Sequence, residues 1–200
     1  MADQEIDRAL KLVANLSIDK ASQVLSKMIK AGAKIELEGV SLEDVTKATE
    51  RVMQSDTGDV VGAFVDLVGD LPFKFLFYVD ANDSLTLTDL ILRRELGTTK
   101  KFDVYVTSTV QELGNILASA VTNVFASDFQ IKMKPTPPIV VHDYASTIFG
   151  EYIMEAAAEQ DEILMIESMF RVVRLNVKCR MFLLPKGDAQ KELAAIVGKI

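Results

Sequence analysis

Ser108, Glu112 and Asn115 are the residues whose types and spacing can do chemistry. At about 3.6 residues per turn, positions 108, 112, 115 and 119 fall in one narrow arc of a helix. Val110, Leu113, Leu117, Val121 and Val124 fall on the opposite side. A hydroxyl, a carboxylate and a carboxamide therefore share a wet stripe, while the other side supplies a core anchor. A surface helix ordinarily carries Lys, Arg and Glu on its wet side, whereas Asn, Ser, Thr and Gly are mediocre helix formers. A functional face is one reading of that content, and plain solvation is the other. No Walker-type glycine loop, HExxH or Ser-His-Asp pattern occurs, so an ordinary hydrolase or kinase has nothing to stand on.

The frame that must carry this stripe is bounded by composition. Two hundred residues with 49% apolar content fit one domain, residues 1–200, with a substantial core. A net charge of −7 and a pI near 4.8 disfavour nucleic-acid and anionic-membrane partners. Lone Cys179 excludes a disulfide framework and a cysteine-based zinc site, and reads as a small apolar strand residue. Lone His142 reads as a loop or boundary histidine. The acidic N-terminus is no signal peptide, and no run of about twenty apolar residues exists to span a bilayer, so a cytoplasmic location is expected.

Apolar periodicity predicts a helix over 4–31, with a kink near Asn15, and a strand over 34–40. Ser41 to Asp44 reads as a loose capping box opening a helix through Met53. Val60–Val68 and Phe73–Val79 read as a hairpin, 80–84 as loop, and 85–96 as a helix closed by Gly97. A charged connection over 98–106 leads to the central helix, 107–126. A strand over 130–134, the run Pro135-Thr136-Pro137-Pro138 and extended 139–141 follow. Asp143 is a plausible N-cap for a helix from Tyr144. A second hairpin, 162–170 with 172–184, and a helix over 187–198 complete the chain.

The two halves, about 1–100 and 101–200, share this order of elements. The expected fold is α+β: a pseudo-twofold duplicated single domain with a largely antiparallel sheet and two equivalent long helices on one face. Ser108, Glu112 and Asn115 then correspond to Arg8, Leu12 and Asn15. Counted from the amide, Glu38 falls where Pro138 does. The first copy keeps the amide and lacks the acid, which leaves one intact site.

The pattern Ser-x3-Glu-x2-Asn-x22-Pro, filled by Ser108, Glu112, Asn115 and Pro138, resembles the signature of the CheC/CheX/FliY phosphatase family of chemotaxis. Leu90 to Gly97, Glu112-Leu-Gly-Asn-Ile116, Pro135 to Pro138, His142-Asp143 and Phe182-Leu-Leu-Pro185 follow the CheC wording in order. Leu12 departs from it, since CheC-like proteins often keep Glu and Asn in both copies. A FliY identity would call for an additional flagellar-switch domain, for which 200 residues are expected to leave no room.

The resemblance implies a phosphatase acting on the aspartyl phosphate of the response regulator CheY. It assigns Asn115 to orient the attacking water and Glu112 to pair with the regulator's active-site lysine. Ser108 and Ile116 would support or touch the partner, and Pro138 would shape the loop beside the site. No cofactor of its own is implied, because Mg²⁺ resides on the regulator. The alternative is a regulatory protein that binds phosphorylated CheY, or the receptor deamidase CheD, with little or no catalysis.

Overall fold

The computed structural model describes residues 2–29, 33–55, 58–157, 162–172 and 175–197. The elements run α1 (Ala2–Ile29), β1 (Ala33–Asp44), α2 (Val45–Ser55), β2 (Asp59–Gly69), β3 (Phe73–Asp80), α3 (Ala81–Ile91) and α4 (Val104–Asp128). They continue β4 (Met133–Pro135), β5 (Ile139–Tyr144), α5 (Ala145–Ala157), β6 (Glu162–Val172), β7 (Leu175–Pro185) and α6 (Ala189–Val197).

One seven-stranded sheet takes strands from both halves in the order β1-β6-β7-β3-β2-β4, with β5 also paired to β2. All pairings are antiparallel. β1 pairs with β6 of the second half, β5 pairs with β2 of the first, and β3 meets β7 at the centre. Each half therefore supplies a hairpin to the centre of the sheet and an outer strand that pairs with the other half's hairpin. The long helices α1 and α4 pack against each other on one face, as the α+β expectation requires.

The central strands are apolar on both faces because helices cover both. Val61, Ala63, Val65 and Leu67 of β2, Phe73, Phe75 and Phe77 of β3, and Cys179, Met181 and Leu183 of β7 face α1 and α4. The alternate residues Leu76, Tyr78, Phe182 and Leu184 face Ile148, Phe149 and Tyr152 of α5. The Tyr152 hydroxyl donates to the carbonyl of Lys74 at 2.6 Å, which satisfies the polar end of a buried ring. Cys179 is buried, and burial pushes its thiol well above the usual range, with the charge of Asp83 adding to the effect. It is an inert core residue.

Several local expectations are corrected. Ser41 to Asp44 is strand, because these residues pair with Met165 to Glu162 of β6. A cap is worth only about 1 kcal/mol, and the ladder prevails. Asp80 opens a helix rather than a loop: its carboxylate accepts from the backbone N–H of Asn82 and Asp83 at 2.8 and 3.3 Å. α3 stops at Ile91, before Gly97, as Arg93 adopts a left-handed φ of 55°. α4 begins three residues early because Asp103 caps it, accepting from Tyr105 and Val106 N–H at 2.9 and 3.2 Å. Gln130 turns the chain with a φ of 58°, so extended pairing is confined to 133–135. Asp143 lies within β5 opposite Val60, and α5 starts at Ala145, whose N–H donates to the Gly58 carbonyl at 3.0 Å. His142 is likewise a strand residue; its ring packs on Phe102 with centroids 4.7 Å apart.

Candidate functional site

The two sides of α4 divide as its sequence period requires. Val110, Leu113, Leu117, Val121 and Val124 are buried, whereas Ser108, Glu112 and Asn115 are exposed. The helix is 25 residues long and is held against β2, α1 and α3, so the exposed side chains project from a fixed rod. Glu112 and Asn115 are three positions apart, the spacing that places side chains side by side. Among the described residues, none forms a hydrogen bond or ion pair with the side chain of Ser108, Glu112 or Asn115.

Gly114, between the acid and the amide, sets how closely the rod lies to the sheet. A methyl group there would meet the Cβ of Ala63 at 2.8 Å, inside contact distance, and the ring of Pro138 at 3.6 Å. Glycine at this point costs helix propensity and allows an approach no other residue permits. Pro138 is buried in this gap, and its carbonyl accepts a hydrogen bond from the Gln111 carboxamide at 3.3 Å. Behind it, Thr136 is held twice to β2: its N–H donates to the Asp66 carbonyl at 2.8 Å, and its hydroxyl accepts from the Asp66 N–H at 3.0 Å. The proline loop is thus fastened to both the helix and the sheet beneath Glu112 and Asn115.

The start of the helix is fixed by a carboxylate outside the predicted site. Asp89 of α3 is fully buried and accepts from the N–H groups of Gly97, Thr98 and Thr99 at 2.8, 2.9 and 3.0 Å, and from the Thr99 hydroxyl at 2.6 Å. Burial pushes its carboxyl up, but the Thr99 hydroxyl and the three N–H donors outweigh it and hold the group below the usual carboxylate range. Asp89 thereby ties down the segment that leads into α4. Neither this role nor those of Gly114 and Gln111 follows from helical periodicity, since each partner lies on a different element.

Of the other predicted site residues, Ile116 of α4 is half-buried and packs against the core, so only part of it faces outward. In the first half, Leu12 and Asn15 are exposed on α1. The Asn15 carboxamide donates to the Lys11 carbonyl of its own helix at 2.7 Å, whereas Asn115 makes no such bond among the described residues. Glu38 lies in β1 at a break in its register with β6, and its side chain is outside the described residues.

The site is an exposed helix face. A cavity of about 370 Å³ opens on the α5 side of the sheet, lined by Phe64, Asp66, Thr136, Glu151 and Tyr152, and includes neither Glu112 nor Asn115. A group presented in this way suits a reaction whose remaining components arrive on another macromolecule. Among the described residues, no cluster of three or more His, Cys, Asp or Glu is arranged to hold a metal, and no helix is long and apolar enough to cross a membrane.

Residues 106–142 match the model of the CheC-like family, a span that contains Ser108, Glu112, Asn115 and Pro138. The fold extends the likeness to nearly the whole chain. FliY from Thermotoga maritima superposes with a TM-score of 0.76 at 16% identity, covering 98% of this chain and 96% of that one. A CheC-like superfamily protein from Shewanella matches with a TM-score of 0.54 at 19% identity, over 88% and 97%. CheX in the CheX–CheY–BeF3–Mg²⁺ complex from Borrelia burgdorferi matches with a TM-score of 0.53 at 17% identity, over 86% and 96%. Length does not separate this chain from the solved FliY, which it covers almost end to end.

Proposed function

For a chain that is CheC-like along its site helix and in its fold, we propose a phosphatase that accelerates hydrolysis of the aspartyl phosphate on a CheY-like response regulator. The observation that carries this reading is the pair Glu112 and Asn115, exposed together on a rigid helix whose other side is core. An acyl phosphate is already activated, and the regulator brings its own Mg²⁺ and lysine to neutralise the phosphoryl oxygens. What remains is to hold a water in line with the P–O bond that breaks, which is a positioning task.

Asn115 suits that task. Its carboxamide oxygen and NH₂ can hold a water by hydrogen bonds, and it brings no negative charge beside the phosphoryl group. The attacking water transfers its oxygen to phosphorus, the regulator's aspartate leaves as a carboxylate, and inorganic phosphate departs. Glu112, one turn back, would pair with the regulator's lysine and fix the docking register. Such a pair is partly desolvated in the complex and contributes more than an exposed ion pair. A CheX solved in complex with CheY, beryllofluoride and Mg²⁺ supports the choice of partner.

Asn115→Ala should lower the rate of regulator dephosphorylation at least about 100-fold, as expected for loss of a positioned nucleophile, while leaving the thermal unfolding temperature unchanged. Full activity in that variant would remove Asn115 from the mechanism. Exposed Leu12, standing where an acid would complete a second site, favours a second reading, in which the protein binds phosphorylated CheY or CheD as a regulator and hydrolysis is secondary.

A further inference from the structure

The stripe on α4 does not end at Ser108. One turn earlier stands Val104, 70% exposed at the first helical position, with Tyr105 beside it at 49%. From Val104 to Asn115 the rod runs about 16 Å at 1.5 Å per residue, enough for one side of a docking surface. The segment that delivers α4, residues 92–103, adds exposed Leu96 and Phe102 just ahead of the site helix in sequence. Single exposed apolar residues need no explanation, but several within one short segment leading into a functional helix call for one.

The same segment is locally basic in an acidic protein. Residues 92–105 carry Arg93, Arg94, Lys100 and Lys101 against Glu95 and Asp103, whereas the whole chain has a net charge of −7. Among the described residues, none of these four cations is in an ion pair. The Arg94 guanidinium lies over the Tyr105 ring, 4.5 Å from its centroid, which keeps both side chains in place. Asp89 fastens the segment through Gly97, Thr98 and Thr99, and Phe102 packs on His142 of β5. Tyr and Arg, held here in a preformed arrangement, are among the residue types that dominate binding energy at protein interfaces.

We propose that residues 92–105, with Val104 and Tyr105 as anchors and Arg93, Lys100 and Lys101 as a cationic rim, form the second half of the surface that grips the phosphorylated receiver. The occupant follows from charge. A phosphoryl group adds negative charge to the receiver that its Mg²⁺ and lysine offset only in part, and a basic rim beside Glu112 and Asn115 attracts and orients it. This inference rests on the phosphatase reading for the identity of the partner, but concerns binding rather than chemistry.

The test is a titration of the CheY-like receiver from the same genome, activated with beryllofluoride and Mg²⁺, into the full chain. Val104→Asp should weaken the dissociation constant at least tenfold. An acid in the first turn favours the helix, so fraying would not be the cause. Lys100→Glu with Lys101→Glu should weaken binding at least threefold and flatten its salt dependence. Affinities within twofold of wild type in both variants, or no binding by the wild type, would overturn the docking surface. Asn115→Ala separates the two claims: it should bind like wild type and fail to hydrolyse. If it hydrolyses normally while Val104→Asp binds weakly, the catalytic reading falls and the docking surface stands.

Discussion

Single residues decide whether the amide and the acid reach the same place. Gly114→Ala gains about 1 kcal/mol of helix propensity, yet its methyl would sit 2.8 Å from the Ala63 Cβ, with both atoms fixed to backbone. The helix must therefore lift from the sheet. Overpacking of this kind costs about 1–3 kcal/mol, so denaturant unfolding should show a net loss of stability. Dephosphorylation should fall by more than tenfold, since displacing a positioning group by about 1 Å is enough for such losses. Asp89→Asn exchanges an acceptor oxygen for an NH₂ group facing N–H donors, and should cost on the order of 2 kcal/mol. Its pH dependence has a definite sign. The folded pKa lies below the unfolded value of about 3.9, so the carboxylate's contribution is complete above that value and is lost as pH falls through the folded one. Stability curves of variant and wild type should run parallel from about pH 5 upward and converge in acid. A gap that stays constant down to the acid transition would show that ionised Asp89 is not what holds residues 97–99.

At the scale of elements, α4 is the part whose beginning matters most. Asp103→Ala removes the oxygen that accepts from Tyr105 and Val106 N–H, and should cost about 1 kcal/mol of stability. Amide exchange should accelerate over residues 104–107 and remain slow at 113–125; uniform acceleration would contradict a local capping role. The apolar face of α4 was legible from its sequence because five residues at helical spacing face one core. The two hairpins were legible as apolar runs because both faces of β2, β3 and β7 are covered. Helix starts were harder to read. Asp80, Asp103 and Asp143 each stand just before an apolar or small-residue stretch, and only the fold distinguishes the two that cap a helix from the one inside a strand. The last four residues of β1 have their partners more than a hundred positions away, so no local signal could outweigh the cap-like Ser41 to Asp44. The clamp from Gln111 to Pro138 and the fit of Gly114 against Ala63 were hidden for the same reason, whereas the side chains they position were plain from spacing alone.

At the scale of the whole molecule, both halves contribute a central hairpin and an outer strand to one sheet, but they do not offer the same chemistry. α1 offers Leu12 and an Asn15 that is hydrogen-bonded to its own helix; α4 offers Glu112 and an Asn115 exposed beside it. Asn15→Ala should therefore leave the dephosphorylation rate within about twofold of wild type, whereas a tenfold loss would require two cooperating sites. The most direct measurement is the lifetime of aspartyl phosphate on the CheY-like receiver, with one copy of this protein for every twenty or so receivers. A catalytic Asn115 predicts that the whole phosphorylated population decays faster over many turnovers, and that Asn115→Ala returns the lifetime to that of the receiver alone. Acceleration limited to one receiver per protein copy, or none at all, would contradict the account.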